Sequence, residues 1–490
     1  MPKKLEEISR AELDELVQAA DDSKWKQVYH VQPPFGFLGA PTGFNYVNGI
    51  YHLFYEWSPD SDSTVTPDSK YIYHATSKDL VTFQNEGVKV RPDSLYDAEN
   101  IFGGSLSKVF NEVSFFYTGE RLKSDELLTT QLGGYMNTDG KVKKYTSPLI
   151  RNLPPGYTEY FRNPYVTVID REVIMLLGTM NREEFGRVVI YRGPSVEELR
   201  FDGELDTGYK VFGHLWEQPE FFNLDTDSVL IFNARGLDKF DTNFWNIYQS
   251  GYMIGDFERR RNYFIHDDFY EFDGGFDFYR PATTVDEDGN RVLIAWMAAE
   301  ESGYPSRVDR TVNVMTIPRV LTIDGDRIRQ LPHPNLEKLR GEAITAEGYF
   351  KEYPTKLTAF YGEVYELIID IIENNASILH IYLRKNSRHE TKLIYDSEQR
   401  LLTLDRTFSG EEIENVDGLV RSIKLDEALQ NMRIYVDQSS IEVFINDGKY
   451  TMTSRIFPSD NATGLEMVTE FGDCRVQLTQ YPLQSGQRCE

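Results

Sequence analysis

Cysteine is nearly missing from this sequence: Cys474 and Cys489 are the only two, both close to the end of 490 residues. That excludes a disulfide framework, and with no CxxC pair it excludes the common zinc spacings. Basic residues are short relative to acidic ones, 52 Lys and Arg against 78 Asp and Glu, for a formal net charge of −26. Nucleic acids and anionic membranes attract basic patches, so neither is expected as a partner. No run of about 18 apolar residues is present to span a bilayer. Met1 to Lys26 has no apolar core of signal-peptide length, which makes a reducing cytoplasm the simplest expected location. The 8 His are scattered without HExxH or paired spacing, and no GxxxxGK[ST] loop occurs. No metal and no nucleotide cofactor is therefore expected. Oligomeric state leaves no mark on the sequence.

What remains is ordinary in bulk: 40% hydrophobic and 27% charged residues, as in a soluble globular protein. The length exceeds what one core serves and predicts two domains. Aromatics are abundant, 30 Tyr and 30 Phe. They favour strands, and most are expected in core and sheet surface, with some available to line a sugar pocket.

Ser9-Arg-Ala-Glu12 has the form of a capping box, and Leu13, Leu16, Val17 and Ala20 then fall on one helical face. From about Tyr29 the texture changes to short strands between turns, such as Ile50–Trp57, Val113–Thr118, Val173–Gly178, Val229–Phe232 and Arg291–Trp296. A propeller, a barrel or a sandwich would each produce that pattern. Pro332, Pro334 and the charged stretch Asn335 to Arg340 look like a link with one short helix. Beyond it, Arg433–Asp437, Ser440–Ile445 and Lys449–Ser454 around Asn446-Asp-Gly448 predict a hairpin in a second β domain. The expected division is an N-terminal helical extension (1–29), an all-β domain (30–335) and a β-sandwich (345–490).

Several segments, in order, resemble glycoside hydrolase family 32, the family of invertases, sucrose-6-phosphate hydrolases, inulinases and levanases. Tyr51-His-Leu-Phe-Tyr-Glu-Trp-Ser-Pro59 resembles the family's YHLFYQYNP, and His74-Ala-Thr-Ser-Lys-Asp-Leu-Val81 its HATSxDLV. Ile101-Phe-Gly-Gly-Ser105 is similar to its FSGS segment, Phe161-Arg-Asn-Pro164 to FRDP and Trp216-Glu-Gln-Pro-Glu-Phe-Phe222 to WECPDLF. Asp273-Gly-Gly-Phe-Asp-Phe-Tyr279 resembles DxGxDFY, and Ile317-Pro-Arg-Val-Leu321 resembles PRxL. Asp437-Gln-Ser-Ser-Ile-Glu-Val-Phe444 with Thr453-Ser-Arg-Ile-Phe-Pro458 resembles the family's sandwich hairpin. The resemblance implies an all-β fold, a five-bladed β-propeller followed by a β-sandwich. It also implies a small carbohydrate, a fructoside or related glycoside, as the partner, and no cofactor.

Retaining hydrolysis of a glycoside needs two carboxyl groups about 5–5.5 Å apart, one nucleophile and one acid/base. By resemblance Glu217 stands at the acid/base position, and a Trp-flanked, desolvated carboxyl there is expected to have a raised pKa. The family's GWMNDPNG aligns without a gap on Gly36-Phe-Leu-Gly-Ala-Pro-Thr-Gly43, so the nucleophile falls on Ala40, with Gly39 and Thr42 in place of flanking Asn. The transition-state carboxylate of FRDP is Asn163, Glu56 replaces Gln and Gly103 replaces Ser. Other expected sugar-pocket residues are Phe37, Phe102, Arg162, Trp216, Asp277 and Trp296. These changes cluster on the expected pocket while the strands around it match. Three readings follow: a non-hydrolytic sugar-binding homologue; a glycosidase of altered, inverting chemistry, with Glu56, Asp97, Glu99 or Glu220 acting on a water beside Ala40; or a structural protein. Loss of a nucleophile makes ordinary β-fructofuranosidase activity an unfavoured expectation.

Overall fold

The structure, a computed structural model, describes residues 4–60, 70–123, 126–138, 140–299 and 302–485. Cys489 lies outside the described residues, while Cys474 is a buried free thiol. The helix expected from the capping box runs Arg10–Asp21, with Ser9 accepting from the Glu12 amide at 3.3 Å and Glu12 accepting from the Ser9 amide at 2.9 Å. Ala20 is buried, and Leu13, Leu16 and Val17 pack on the same core cluster.

Five antiparallel sheets follow in chain order, each beginning with its innermost strand: Gly36–Val47, Asn100–Val109, Tyr157–Ile169, Leu215–Leu224 and Tyr279–Val285. These are the five blades of a propeller. Each blade is covered on both faces by its neighbours, which explains the unbroken apolar runs. In blade 3, Val173, Met175 and Leu177 join the core shared with blade 2, and Ile174 and Leu176 join the core shared with blade 4. The ring closes through the segment before blade 1. The Met315 amide donates to Val31 O at 3.1 Å, and Thr311–Val312 pairs parallel with Gly36 and Phe37. A 3-10 helix, Pro334–Leu339, leads into a sandwich of two six-stranded sheets.

In the hairpin strand Ser440–Ile445, Ile441, Val443 and Ile445 enter the sandwich core, as the alternation predicted. Glu442 and Phe444, on the other face, are buried too, against the propeller. There Arg319 bonds Asp273 at 3.1 Å and Glu442 at 2.6 Å, and His30 bridges Asp437 at 2.8 Å and Glu442 at 3.0 Å. Thr453 donates to Asp273 through both its amide and its hydroxyl at 2.7 Å. Four of the sequence motifs therefore meet at the junction of the two domains. Buried charges of this kind persist only when each finds partners, which holds the propeller and sandwich in one arrangement.

Candidate active site

In every blade the pairing between the innermost and second strands is interrupted at the same place. The irregularities fall at Leu38 to Gly43, Gly103 to Ser105, Arg162 to Tyr165, Glu217 to Glu220 and Tyr279 to Ala282. A bulge re-aims the side chains beside it. The sequence at these bulges is Ala40-Pro41, Gly103-Gly104, Asn163-Pro164, Gln218-Pro219 and Arg280-Pro281, at intervals of 55 to 63 residues. Proline fits because it has no amide to lose from the ladder. Asn163, Gln218 and Arg280 adopt positive φ of 61°, 45° and 49°. Such backbone strain costs on the order of 1–3 kcal/mol per residue and clusters at functional sites. This five-fold repeat was readable in the sequence, although no strict repeat was expected.

Hydrogen bonds tie the bulges into one ring. Gln218 Nε2 donates to Pro41 O at 2.9 Å, Asn163 Nδ2 donates to Gly103 O at 2.8 Å and the Gly103 backbone amide donates to Glu56 at 3.0 Å. Ala40, Asn163 and Glu217, far apart in sequence, thus lie at the bulges of the innermost strands of blades 1, 3 and 4, of which only the last two are neighbours. Ala40 is fully buried. The Asn163 Oδ1 atom is buried with no partner among the described residues, and so is Thr42 Oγ1. Glu56 is clamped between Arg280 at 3.0 Å and Lys70 at 3.1 Å. Burial alone would raise its pKa, but Arg280 and Lys70 outweigh it and hold the carboxylate at about 2.

Glu217 departs from the expectation of a raised pKa. Burial again pushes upward, but the Arg235, Arg162 and Arg280 guanidiniums and the Tyr279 hydroxyl hold it down to about 2. Arg235 Nε lies 2.6 Å and the Tyr279 hydroxyl 2.7 Å from its Oε2. Trp216 does not desolvate it in the way the sequence suggested. Adjacent strand residues face opposite ways, and the Trp216 ring stacks on Phe232 at 4.2 Å while its NH donates to Phe212 O at 2.6 Å.

Three other expected pocket residues need correction for similar reasons. Trp296 spends its NH on Leu38 O at 2.9 Å and is 2% exposed. Phe37 packs edge-on to Trp296, with centroids 6.0 Å apart. Asp277 accepts from Tyr304, from Arg406 at 2.7 Å and from the Arg455 amide at 2.7 Å, so it ties the propeller to the sandwich. Phe102 and Arg162 do come together: the guanidinium lies 4.2 Å from the ring centroid, and Lys70 lies 4.4 Å from the same ring. Arg162 forms no ion pair among the described residues. The residues sequence reasoning missed are Lys70, Arg235, Tyr279 and Arg280. Only Arg280 carried a signal, its place in the X-Pro repeat.

Two family models cover nearly the whole chain: "Glycosyl hydrolases family 32 N-terminal domain" over residues 30–332 and "Glycosyl hydrolases family 32 C terminal" over 335–482. The chain belongs to glycosyl hydrolase family 32. It is 37% identical to the sucrose-6-phosphate hydrolase of Staphylococcus xylosus, over 98% of this chain and 97% of that one. It is 31% identical to the sucrose-6-phosphate hydrolase of Vibrio alginolyticus, over 94% and 92%. Among solved structures it matches sucrose-6-phosphate hydrolase from Lactobacillus gasseri with a TM-score of 0.89 at 26% identity, over 99% and 98% of the two chains. A β-fructofuranosidase of Bombyx mori, an aspartate-to-alanine mutant in complex with sucrose, matches in fold with a TM-score of 0.82 at 23% identity, over 98% and 100% of the two chains.

Against the family 32 pattern, the departures in this chain fit one another. A Cβ on Gly39 would lie 2.8 Å from the Glu56 Cβ, so the glycine makes room for the Glu56 side chain. A Cβ on Gly103 would lie 1.9 Å from the Thr42 methyl, so Thr42 fills the space that a serine at position 103 would need. Around Ala40, Gly39 and Gly103 thus leave room for Glu56 and Thr42, and Glu56 forms a buried ion pair with Arg280.

Proposed function

We propose that this family 32 protein binds a fructoside or a related small glycoside without hydrolysing it. The observation that carries the reading is Ala40: the position of the family's nucleophile holds a buried methyl group, and Glu56, on the paired strand, is locked between Arg280 and Lys70. Glu217 is ion-paired to Arg235, which favours its ionised form over the protonated form that a general acid needs. Binding capacity is supported by Arg162, which carries no ion pair among the described residues, and by the buried Asn163 Oδ1, which has no partner among them. An unpaired buried acceptor costs about 1–3 kcal/mol, which a sugar hydroxyl would recover. The sucrose complex of the silkworm mutant shows that this fold holds a sugar in an aspartate-to-alanine variant.

The hydrolase names of the relatives support a second reading, hydrolysis through an activated water. The carboxylates it would use are all engaged or remote. Asp97 is held by Tyr117 at 2.9 Å and Lys144 at 2.6 Å, Glu99 is exposed, and Glu220 lies behind the ring on Thr283. A cytoplasmic location belongs to the proposal, in keeping with the sucrose-6-phosphate hydrolase relatives and the buried free thiol of Cys474. Among the described residues no helix is long and apolar enough to cross a membrane.

The test is calorimetric titration with sucrose, sucrose 6-phosphate, fructo-oligosaccharides, arabinosides and xylosides, followed by product analysis. The expected result is saturable binding of one class, weakened at least tenfold by Arg162→Ala, with the sugar recovered intact. Turnover of any of them would establish the second reading, and no binding at all would leave a structural role.

A further inference from the structure

Two strands at one edge of the sandwich carry charge toward its interior. On Leu401–Phe408, Leu402 and Leu404 enter the sandwich core, and the next side chain on that face is Arg406. Leu404 pairs with Arg421 of Val420–Lys424, so the two arginines are diagonal neighbours on one face. Both guanidiniums lie over the ring of Phe276 from the propeller, 3.8 and 4.7 Å from its centroid. Arg406 and Arg421 are only 4% and 6% exposed. Arg455, fully buried, is next to them, and its carbonyl accepts from Arg406 at 3.4 Å.

Among the described residues these three buried cations share one carboxylate. Asp277 accepts from the Arg406 guanidinium at 2.7 Å. The Arg421 guanidinium donates to Asn246 Oδ1 and to the carbonyls of Val420 and Asp417, and that of Arg455 to Ser439, all uncharged acceptors. The other carboxyls that act on them are committed elsewhere or only partly ionised. Asp417 pairs with Lys239 at 2.8 Å, Asp437 pairs with His30 at 2.8 Å, and burial lifts the Glu271 pKa to about 7. Burial, and then Arg406, push the Arg421 pKa down to about 10, the direction expected of a guanidinium short of counter-charge. Arg406 Nε has no acceptor among the described residues. Buried charges persist when they are paired, so the cluster carries an excess of positive charge that the described side chains do not balance.

Arg406 and Arg421 line a cavity of about 30 Å³ whose wall is otherwise largely apolar, with Phe276, Phe278, Ala298 and Val416 in it. One water takes about 10–15 Å³ by this measure and small-molecule sites run to roughly 300–1,000 Å³, so the cavity accepts a particle of one or two water volumes and excludes a sugar. The apolar part of the wall offers nothing to the four oxygens of a phosphate or sulfate. We propose that this cavity binds one halide ion, chloride under ordinary conditions, which balances Arg406 and Arg421 and fastens the sandwich to the propeller. The site is independent of whether the ring around Ala40 hydrolyses a sugar. The test melts wild type and Arg421→Gln in sodium gluconate replaced stepwise by sodium chloride at constant ionic strength. Wild-type crystals grown with sodium bromide are measured at the bromine absorption edge. A ligand that binds only the folded chain stabilises it by mass action, so the wild-type midpoint is expected to rise saturably with chloride, by at least ~2 °C. Arg421→Gln is expected to lack that rise, and an anomalous peak is expected in the cavity beside Arg406. The absence of that peak would overturn the proposal. So would a wild-type midpoint that does not rise with chloride, or a rise that Arg421→Gln retains. The two wild-type measurements decide the matter even if the variant does not fold.

Discussion

The sharpest prediction concerns turnover of sucrose and sucrose 6-phosphate by the untouched protein and by stepwise reversions of its ring. Removing a hydrolase nucleophile costs about 10⁴–10⁶-fold in rate. From a typical turnover of about 10 s⁻¹, the wild type is expected below ~10⁻³ s⁻¹. Ala40→Asp alone is expected to stay near that floor. Arg235, Arg162 and Arg280 outweigh burial and hold Glu217 below the usual carboxylate range, which withdraws part of the ~10²–10⁴-fold that a general acid supplies. The fair reversion is Gly39→Asn, Ala40→Asp, Thr42→Asn and Asn163→Asp together. Even this meets an obstacle, because a side chain at position 39 closes to 2.8 Å on Glu56. Any rate the quadruple variant recovers should rise as the pH falls from 7 toward 5, as Glu217 takes up its proton. The assay is released glucose, or glucose 6-phosphate, against time over that pH range. Wild-type turnover near ~10 s⁻¹ would refute the reasoning, and so would a pH-independent rate in the quadruple variant.

Glu56→Gln leaves Arg280 buried without its carboxylate and is expected to destabilise the protein by about 3–5 kcal/mol; a denaturant midpoint equal to wild type would contradict the ion-pair assignment. His30 feels burial downward, but Asp437 and Glu442 outweigh it and raise its pKa to about 8. Its contribution, about 2 kcal/mol for that shift, is therefore complete below about pH 6.5 and lost as pH rises through 8. Urea titrations at pH 6.5 and 9 should show that loss in wild type and not in His30→Gln. Trp296→Phe removes one of the two donors to Leu38 O, Asn313 being the other, and should cost about 0.5–1.5 kcal/mol while leaving sugar affinity unchanged; lost affinity at full stability would return Trp296 to the pocket.

The sequence by itself determined the fold class, the N-terminal helix and the family. Those rest on local signals: a capping box at Ser9, apolar runs such as Val173–Leu177, a turn at Asn446-Asp-Gly448, and motifs that follow one another in order. By resemblance it also aligned Ala40 with the family's nucleophile position, since Gly36, Pro41 and Gly43 match the motif without a gap. Tertiary structure decided which motif residues face a ligand and which hold the domains together. Asp277 belongs to a conserved-looking motif, yet it is spent on Arg406 of the sandwich. Trp216 and Glu217 are adjacent in sequence but lie on opposite faces of a strand, so the Trp cannot set the acid's environment. Arg235, from the neighbouring strand, and Arg162 and Arg280, from other blades, set it instead. Side-chain direction has a period of two along a strand, and charge acts through space over several ångströms. Neither the partner of a carboxylate nor the sign of its pKa shift can be read from its sequence neighbours.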